Sequence, residues 1–329
     1  MLVNESGGIA RPRGDGGALY PLRAVAGRAG SVPPSSLLLI GMITVQVGSA
    51  LAKELFSTLG PAGVVFLRVG FAALVLLALW RPWRLALPAR GGGVGATARV
   101  GMPTGARRAD YVAVVSFGLV LALMNFMFYL ALTRIPLGVT VMVEFVGPLG
   151  VAIAGSRRAR DLLWAALALG GIVLLAPLKT LGAAPLDPLG LLLALGAGAC
   201  WATYILLSAR VGRVFPGGTG LSLAMVVGAL ALVPVGVIGA GSTLLDLHLV
   251  ALGLGVALLS SVVPYSLEMA ALRRMPPSAF GVLMSLEPAI AALIGWLVLH
   301  EQLEPRALVA LALVTAAAIG ATRASASPR

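Results

Sequence analysis

The sequence predicts an all-α integral membrane protein with ten transmembrane helices arranged as two inverted five-helix repeats. Three observations predict it. Hydrophobic residues make up 59% of the 329 residues and charged ones 11%, and the mean hydropathy is +1.00, so one water-soluble core cannot hide the apolar surface. The apolar residues also gather into ten runs, each near the about 17 to 25 residues that cross a hydrocarbon layer. Finally, the chain is similar to itself at an offset of 140 residues.

In order, the runs are Leu37 to Phe56, Gly63 to Trp80, Tyr111 to Leu132, Gly138 to Gly155, Leu162 to Leu178, Leu189 to Ser208, Leu221 to Ala240, Val250 to Leu272, Ser278 to Leu299 and Ala307 to Thr322. Backbone amides find no partner in lipid, so each run is expected to be a helix. The first is too long for a signal-peptide core and lacks a convincing cleavage site, so it is expected to stay attached. Residues 1–34, rich in Gly, Arg and Pro, read as a flexible basic cytoplasmic segment. PARGGGVGATARVGMPTGARR, Pro88 to Arg108, has the same character and reads as a flexible cytoplasmic loop, 85–109. The first repeat is then 35–180, the second 187–322, and 323–329 a cytoplasmic tail.

Orientation follows from the basic residues. Of the 24, 19 fall on one side of the helices, among them Arg81, Arg84, Arg157, Arg158, Arg210, Arg213, Arg273 and Arg274. The other side receives Arg134, Lys179 and Arg306 in its loops, together with Asp187, Asp246, Glu301 and Glu304. The excess predicts both termini in the cytoplasm. It also accounts for the net charge of +12 as topology, since these arginines are dispersed over loops without the aromatic platform of a nucleic-acid site. The single cysteine, Cys200, has neither a disulfide partner nor a metal-ligand spacing and reads as a packed, inert thiol. His248 and His300 stand near segment ends and read as interfacial.

The offset of 140 lays LALTRIP, Leu130 to Pro136, over AALRRMP, Ala270 to Pro276, and Pro148 over Pro288. Five helices separate equivalent positions, so the second copy enters the membrane from the opposite side. That places Arg134 outside and Arg274 inside, with a binding site near the midplane between the halves.

The proline pair points to that site. In VMVEFVGPLG, Pro148 has no amide proton for the carbonyl four residues back, which is that of Glu144. In FGVLMSLEPAIAAL, Pro288 frees the carbonyl of Met284, and Glu287 immediately precedes it. Both helices are expected to bend or break at mid-depth, with Pro148 and Pro288 as the bend residues. Acidic groups at that depth face a partner or a hydrated cavity. Counting rise along each helix puts Arg68, Glu144, Asn125 and Tyr129 in one outer-half layer. An Arg68–Glu144 ion pair is expected there, whether it joins two helices or meets substrate. Gln46 lies near the middle of the first helix, and Lys53 nearer its outer end. On the inner side Tyr265 and Glu268, with Trp201 and Tyr204, form an opposing vestibule, although Glu268 also fits an interfacial pair with Arg273, a turn away. The candidate substrate- or proton-binding residues are therefore Glu144, Glu287, Arg68, Asn125, Tyr129, Gln46, Tyr265 and Trp201.

The stretches ALAKELF, LRVGFAALVLLALWRPWR, FYLALTRIPLGVTVMVEFVGPLGVAI, ALGAGACWATYIL, LSSVVPYSLEMAALRRMP and FGVLMSLEPAIAALIGWLVLHEQL resemble the EamA-type branch of the drug/metabolite transporter superfamily. Within that branch the chain is most similar to the bacterial threonine/homoserine exporters. The resemblance covers about Pro34 to Thr322. It implies ten transmembrane helices in two five-helix inverted repeats, an inner-membrane location, and efflux of small amino acids by exchange with protons. The basic leader and the Pro88 to Arg108 segment depart from the compact family pattern.

The expected mechanism is alternating access. Desolvation lets a buried Glu287 or Glu144 hold a proton, Arg68 suits a substrate carboxylate, and freed carbonyls with a glutamate suit its ammonium. The expected partners are an amino acid, protons and the bilayer. No cofactor or metal is called for, and no Ser/His/Asp set, paired aspartates or His/Glu metal spacing occurs in the runs, which argues against an enzyme. A transporter of other amino acids, drugs or metabolites on the same fold is the alternative.

Overall fold

A computed structural model describes residues 32–82, 108–135, 137–156, 159–175, 187–287, 289–290 and 305–326. The leader, most of the 85–109 loop, Pro288 and His300 lie outside the described residues. Among those described every regular element is helical. Helices occupy the described parts of all ten apolar runs. Five are long and apolar enough to cross a membrane: Ser57–Trp80, Arg108–Leu132, Pro188–Val214, Thr219–Ala240 and Leu247–Leu272.

The first helix, α1 (Pro34–Trp80), consists of two arms that meet at Gly60, where φ 63 and ψ 170 break the helical path just before Pro61. Only glycine takes that backbone region without strain. Next come α2 (Arg108–Leu132), α3 (Leu137–Glu144), α4 (Val146–Ala154), α5 (Ala159–Leu175), α6 (Pro188–Val214) and α7 (Thr219–Ala240). They are followed by α8 (Leu247–Leu272), α9 (Pro277–Met284) and α10 (Pro305–Ala326). The two α1 arms pack along α7 and α8, α2 lies against α6 and α7, and α5 against α10. Ala52, Leu55, Leu59, Val64 and Leu67 of α1 share one buried cluster with Ala240, Leu249 and Val256. Large apolar side chains also point outward, with Leu192 63%, Leu230 65% and Ile238 85% exposed. That is the surface a hydrocarbon solvent calls for.

The α3–α4 helix is interrupted at Phe145, whose φ −64 and ψ −13 remain in the helical region. Pro148, four residues beyond Glu144, has no amide to give the Glu144 carbonyl. A second interruption falls at Ser285, at the end of α9, with φ −63 and ψ −13. The turns closing α2 and α8 also correspond: the amides of Arg134 and Ile135 reach the Ala131 carbonyl at 2.9 and 2.9 Å, and those of Arg274 and Met275 reach the Ala271 carbonyl at 2.8 and 3.0 Å.

Two backbone-to-backbone crossings fix α4 between α6 and α9. A Cβ on Gly147 would lie 2.0 Å from the Gly198 carbonyl oxygen, and one on Gly281 2.3 Å from that of Pro148. At one end of the helices Arg134 bonds Asp187 at 2.9 Å, and Asp187 caps α6 by accepting the Leu189 amide at 2.9 Å. The Arg134 hydrogen bond, followed by the Leu189 amide, holds the Asp187 carboxyl below the usual carboxylate range. At the other end Arg273 donates to the carbonyls of Gly212 at 2.5 Å and Phe215 at 2.9 Å, and also to that of Gly217. The Trp80 ring closes over Gly217 and Gly218.

Candidate functional site

The site forms where α8 abandons regular helical geometry. Residues Leu258–Val262 form a π turn, in which the Val263 amide reaches the Leu258 carbonyl, and Pro264 follows. In a regular helix the Ser260 carbonyl would accept from the amide of residue 264, but proline has none. That carbonyl, buried in apolar surroundings, needs another donor, and Arg68 on the second arm of α1 supplies it: Nη2 donates to the Ser260 oxygen at 2.8 Å. Nε donates to Ser261 Oγ at 2.8 Å. The fork also reaches two phenols, Nη2 to Tyr265 OH at 3.2 Å and Nη1 to Tyr129 OH at 3.4 Å. Its carbon lies 5.9 Å from the centroid of the Tyr265 ring.

Among the described residues every bonded partner of this guanidinium is therefore neutral, and the expected ion pair with Glu144 is not formed. The π turn and Pro264 place acceptors closer than the carboxylate. Glu144 nonetheless interacts electrostatically with Arg68 and Glu287, and Glu268 with the same two groups. Glu287 is thus the carboxyl shared between the other two. Glu144 is 9% exposed and makes no hydrogen bond among the described residues; Glu287 is half-buried at the Ser285 interruption.

The vestibule expected around Tyr265, Glu268, Trp201 and Tyr204 is assembled differently from expectation. Glu268 does not pair with Arg273, whose donors go to the α6–α7 connection. It turns inward instead, 7% exposed, and accepts a hydrogen bond from Tyr204 OH at 2.6 Å. Tyr204 packs on Tyr265 with ring centroids 5.6 Å apart and on Phe117 at 5.5 Å. One turn earlier on α6, Trp201 meets Phe145 edge-on at 4.9 Å, which places it against the α3–α4 interruption. Asn125 is 6% exposed; its Nδ2 donates to the Leu121 carbonyl at 2.8 Å and to Tyr265 OH at 3.4 Å.

The structure thus brings together Arg68, Asn125, Tyr129 and Tyr265 by hydrogen bonds, Glu144 and Glu287 by electrostatics, and Trp201 by ring contact. Gln46 is half-buried on the first arm of α1 and makes no hydrogen bond among the described residues. Sequence reasoning overlooked Pro264, Ser260 and Ser261. The signal was present: the proline rule that singled out Glu144 applies equally to Ser260. For Glu268 the partner lies 64 residues away on another helix, so spacing along α8 could not reveal it. Among the described residues no group of three or more His, Cys, Asp or Glu is placed to hold a metal ion. Among the described residues the arrangement is one cation and three carboxyls, two of them buried, beside phenols and an amide. It can meet both ends of a zwitterion and can exchange protons.

Comparison with known proteins adds relatives. A model of the EamA-like transporter family matches residues 188–323. The threonine/homoserine exporter RhtA of Escherichia coli is 40% identical over 289 residues, covering 88% of this chain and 91% of that protein. The protein of the same name from Salmonella typhimurium is also 40% identical, with the same 88% and 91% covered. One solved crystal structure superposes with a TM-score of 0.68 at 20% identity, covering 88% of this chain and 98% of its own, a likeness of fold.

Proposed function

The chain belongs to the EamA-like transporter family, and we propose that it is a secondary active transporter exporting small amino acids of the threonine/homoserine kind across the inner membrane. It works by alternating access, with protons exchanged for substrate. The observation that carries this reading is the guanidinium of Arg68, bonded among the described residues to neutral oxygens alone and within electrostatic reach of Glu144, Glu268 and Glu287. A zwitterion complements that pattern: its carboxylate goes to Arg68 and its ammonium to the glutamates and the freed Glu144 carbonyl. Ionised carboxyls cost a few kcal/mol each in such surroundings. One of them carries a proton while the site is empty and gives it up as the ammonium arrives.

The architecture proposed for this cycle is ten spans in two inverted five-helix repeats, with both termini in the cytoplasm. Three correspondences at the offset of 140 support it: the α2 and α8 turns, the Phe145 and Ser285 interruptions with matching angles, and the contact of Asn125 with Tyr265. Equivalent residues touch where a pseudo-twofold axis passes, which is where such transporters hold their substrates.

Uptake of labelled threonine and homoserine into proteoliposomes under an imposed pH gradient tests the proposal. The purified protein is expected to concentrate both, and Glu287→Gln and Glu144→Gln to remove the dependence on the gradient. Folded variants that match the parental rate from about pH 6 to 8 would exclude coupling through these carboxyls. Counter-flow of other amino acids, drugs and metabolites would expose a different substrate.

A further inference from the structure

Arginine offers its most specific binding edge through Nε and one Nη, two parallel N–H groups that match the two oxygens of a carboxylate. In this protein that edge is already occupied. Ser261 Oγ and the Ser260 carbonyl oxygen sit on Nε and Nη2, both at 2.8 Å, one oxygen per N–H. We infer that this pair of oxygens, built by Pro264 and the π turn, is a carboxylate placeholder, and that an incoming carboxylate displaces it from Arg68. The inference rests on the reading above only for the kind of carboxylate, that of a small amino acid.

The geometry explains what the irregular stretch of α8 is for. A regular helix would present no free carbonyl to the guanidinium, and Pro264 together with the slipped register at Leu258–Val262 presents one. The placeholder keeps a buried cation satisfied while the site is empty. It does so with neutral acceptors, about half as strong as a charged one, so a carboxylate wins the exchange without becoming trapped. Tyr129 and Tyr265 bond two of the three remaining N–H groups and hold the fork in place during it.

A placeholder competes with its ligand, and this gives a result that a supporting role would not. Ser261→Ala leaves Nε–H without its acceptor in the empty state alone. Threonine should therefore bind about tenfold tighter, the equivalent of one charge-assisted hydrogen bond, while turnover slows because release becomes rate-limiting. Ser261→Thr keeps a hydroxyl and should bind threonine closer to the parent than Ser261→Ala does. Pro264→Ala gives the Ser260 carbonyl an amide of its own helix, so Arg68 loses that acceptor in the empty state and threonine should again bind more tightly. Binding is read by tryptophan fluorescence and thermal stabilisation of the purified full-length chain, titrated in parallel with threonine and with sodium propionate, a carboxylate lacking the ammonium.

If propionate binds more tightly to Ser261→Ala but threonine binds to nothing, the placeholder stands and the amino-acid reading falls. If threonine binds parent and Ser261→Ala equally, or the variant more weakly, the placeholder is overturned and the substrate reading survives. Should Ser261→Ala not fold, Pro264→Ala decides by the same comparison. Binding of neither ligand to any form overturns the inference.

Discussion

Gly147→Ala tests the crossing that aims Glu144. The added Cβ would lie 2.0 Å from the Gly198 carbonyl oxygen, 2.7 Å from its carbon and 3.1 Å from its Cα, all backbone atoms. Packed Cβ atoms stay at least 3.0 Å from their neighbours, so α4 and α6 must separate by about 1 Å in an interior that is close-packed. Overpacking of this kind costs about 1–3 kcal/mol, against which alanine returns up to about 1 kcal/mol in helix propensity. The net expectation is a melting temperature lowered by a few degrees. Export should be lost, because the backbone of Glu144 itself lies against Gly198 in this crossing and shifts with it. Gly150→Ala is the matched control: it sits on the same short helix with nothing within 4 Å of its added Cβ. It should melt at or slightly above the parent and transport normally. Both are measured by thermal melting of the purified protein and by labelled threonine export. If Gly147→Ala melts and transports like Gly150→Ala, the backbone contact does not position the site.

Further outcomes follow from the same contacts. Tyr204→Phe removes the one hydrogen bond that the Glu268 carboxyl accepts among the described residues; leaving a buried carboxyl without it should cost about 1–3 kcal/mol in stability and displace the pH profile of gradient-driven uptake. Arg68→Lys keeps the charge but loses the fork, and should weaken threonine binding about tenfold or more in a fluorescence titration. The carboxyl of Asp187 titrates below its ordinary range because of Arg134, so its stabilising effect is present above that range and fades as pH falls through the depressed value. Asp187→Asn should flatten that acid limb of a melting-versus-pH curve, by an amount that shrinks at high salt because the pair is exposed.

How much of this was legible from the sequence depended on whether one helix or two supplied the cause. Pro148 acts on a carbonyl four residues away in its own helix, so the interruption near Glu144 could be read directly. Depth counting placed Arg68 in one layer with Asn125 and Tyr129, because rise per residue is fixed, and the hydrogen bond from Arg68 to Tyr129 lies in that group. It could not choose the partner of Arg68, since that choice depends on how α8 turns its face toward α1, and the π turn changes that rotation. The same limit applied to Glu268: spacing offered Arg273, whereas packing against α6 delivered Tyr204. The Gly147–Gly198 crossing appears in the sequence only as an abundance of glycine, because close approach is a property of two chain segments together.

The grip of Arg273 on Gly212, Phe215 and Gly217 has a consequence for how this connection tolerates mutation. Its acceptors are main-chain carbonyls, which every residue type supplies, so the clasp recognises the path of the loop and is indifferent to the spelling of residues such as Arg213 and Val214. Intolerance should instead concentrate at Gly217, with φ +55 and the indole of Trp80 against it, at Gly218 under the same ring, at the buried Val211 and Phe215, and at Arg273 itself. A saturation scan across 211–218 would then be permissive at the outward-facing Arg213 and Val214 and strict at those buried positions and glycines.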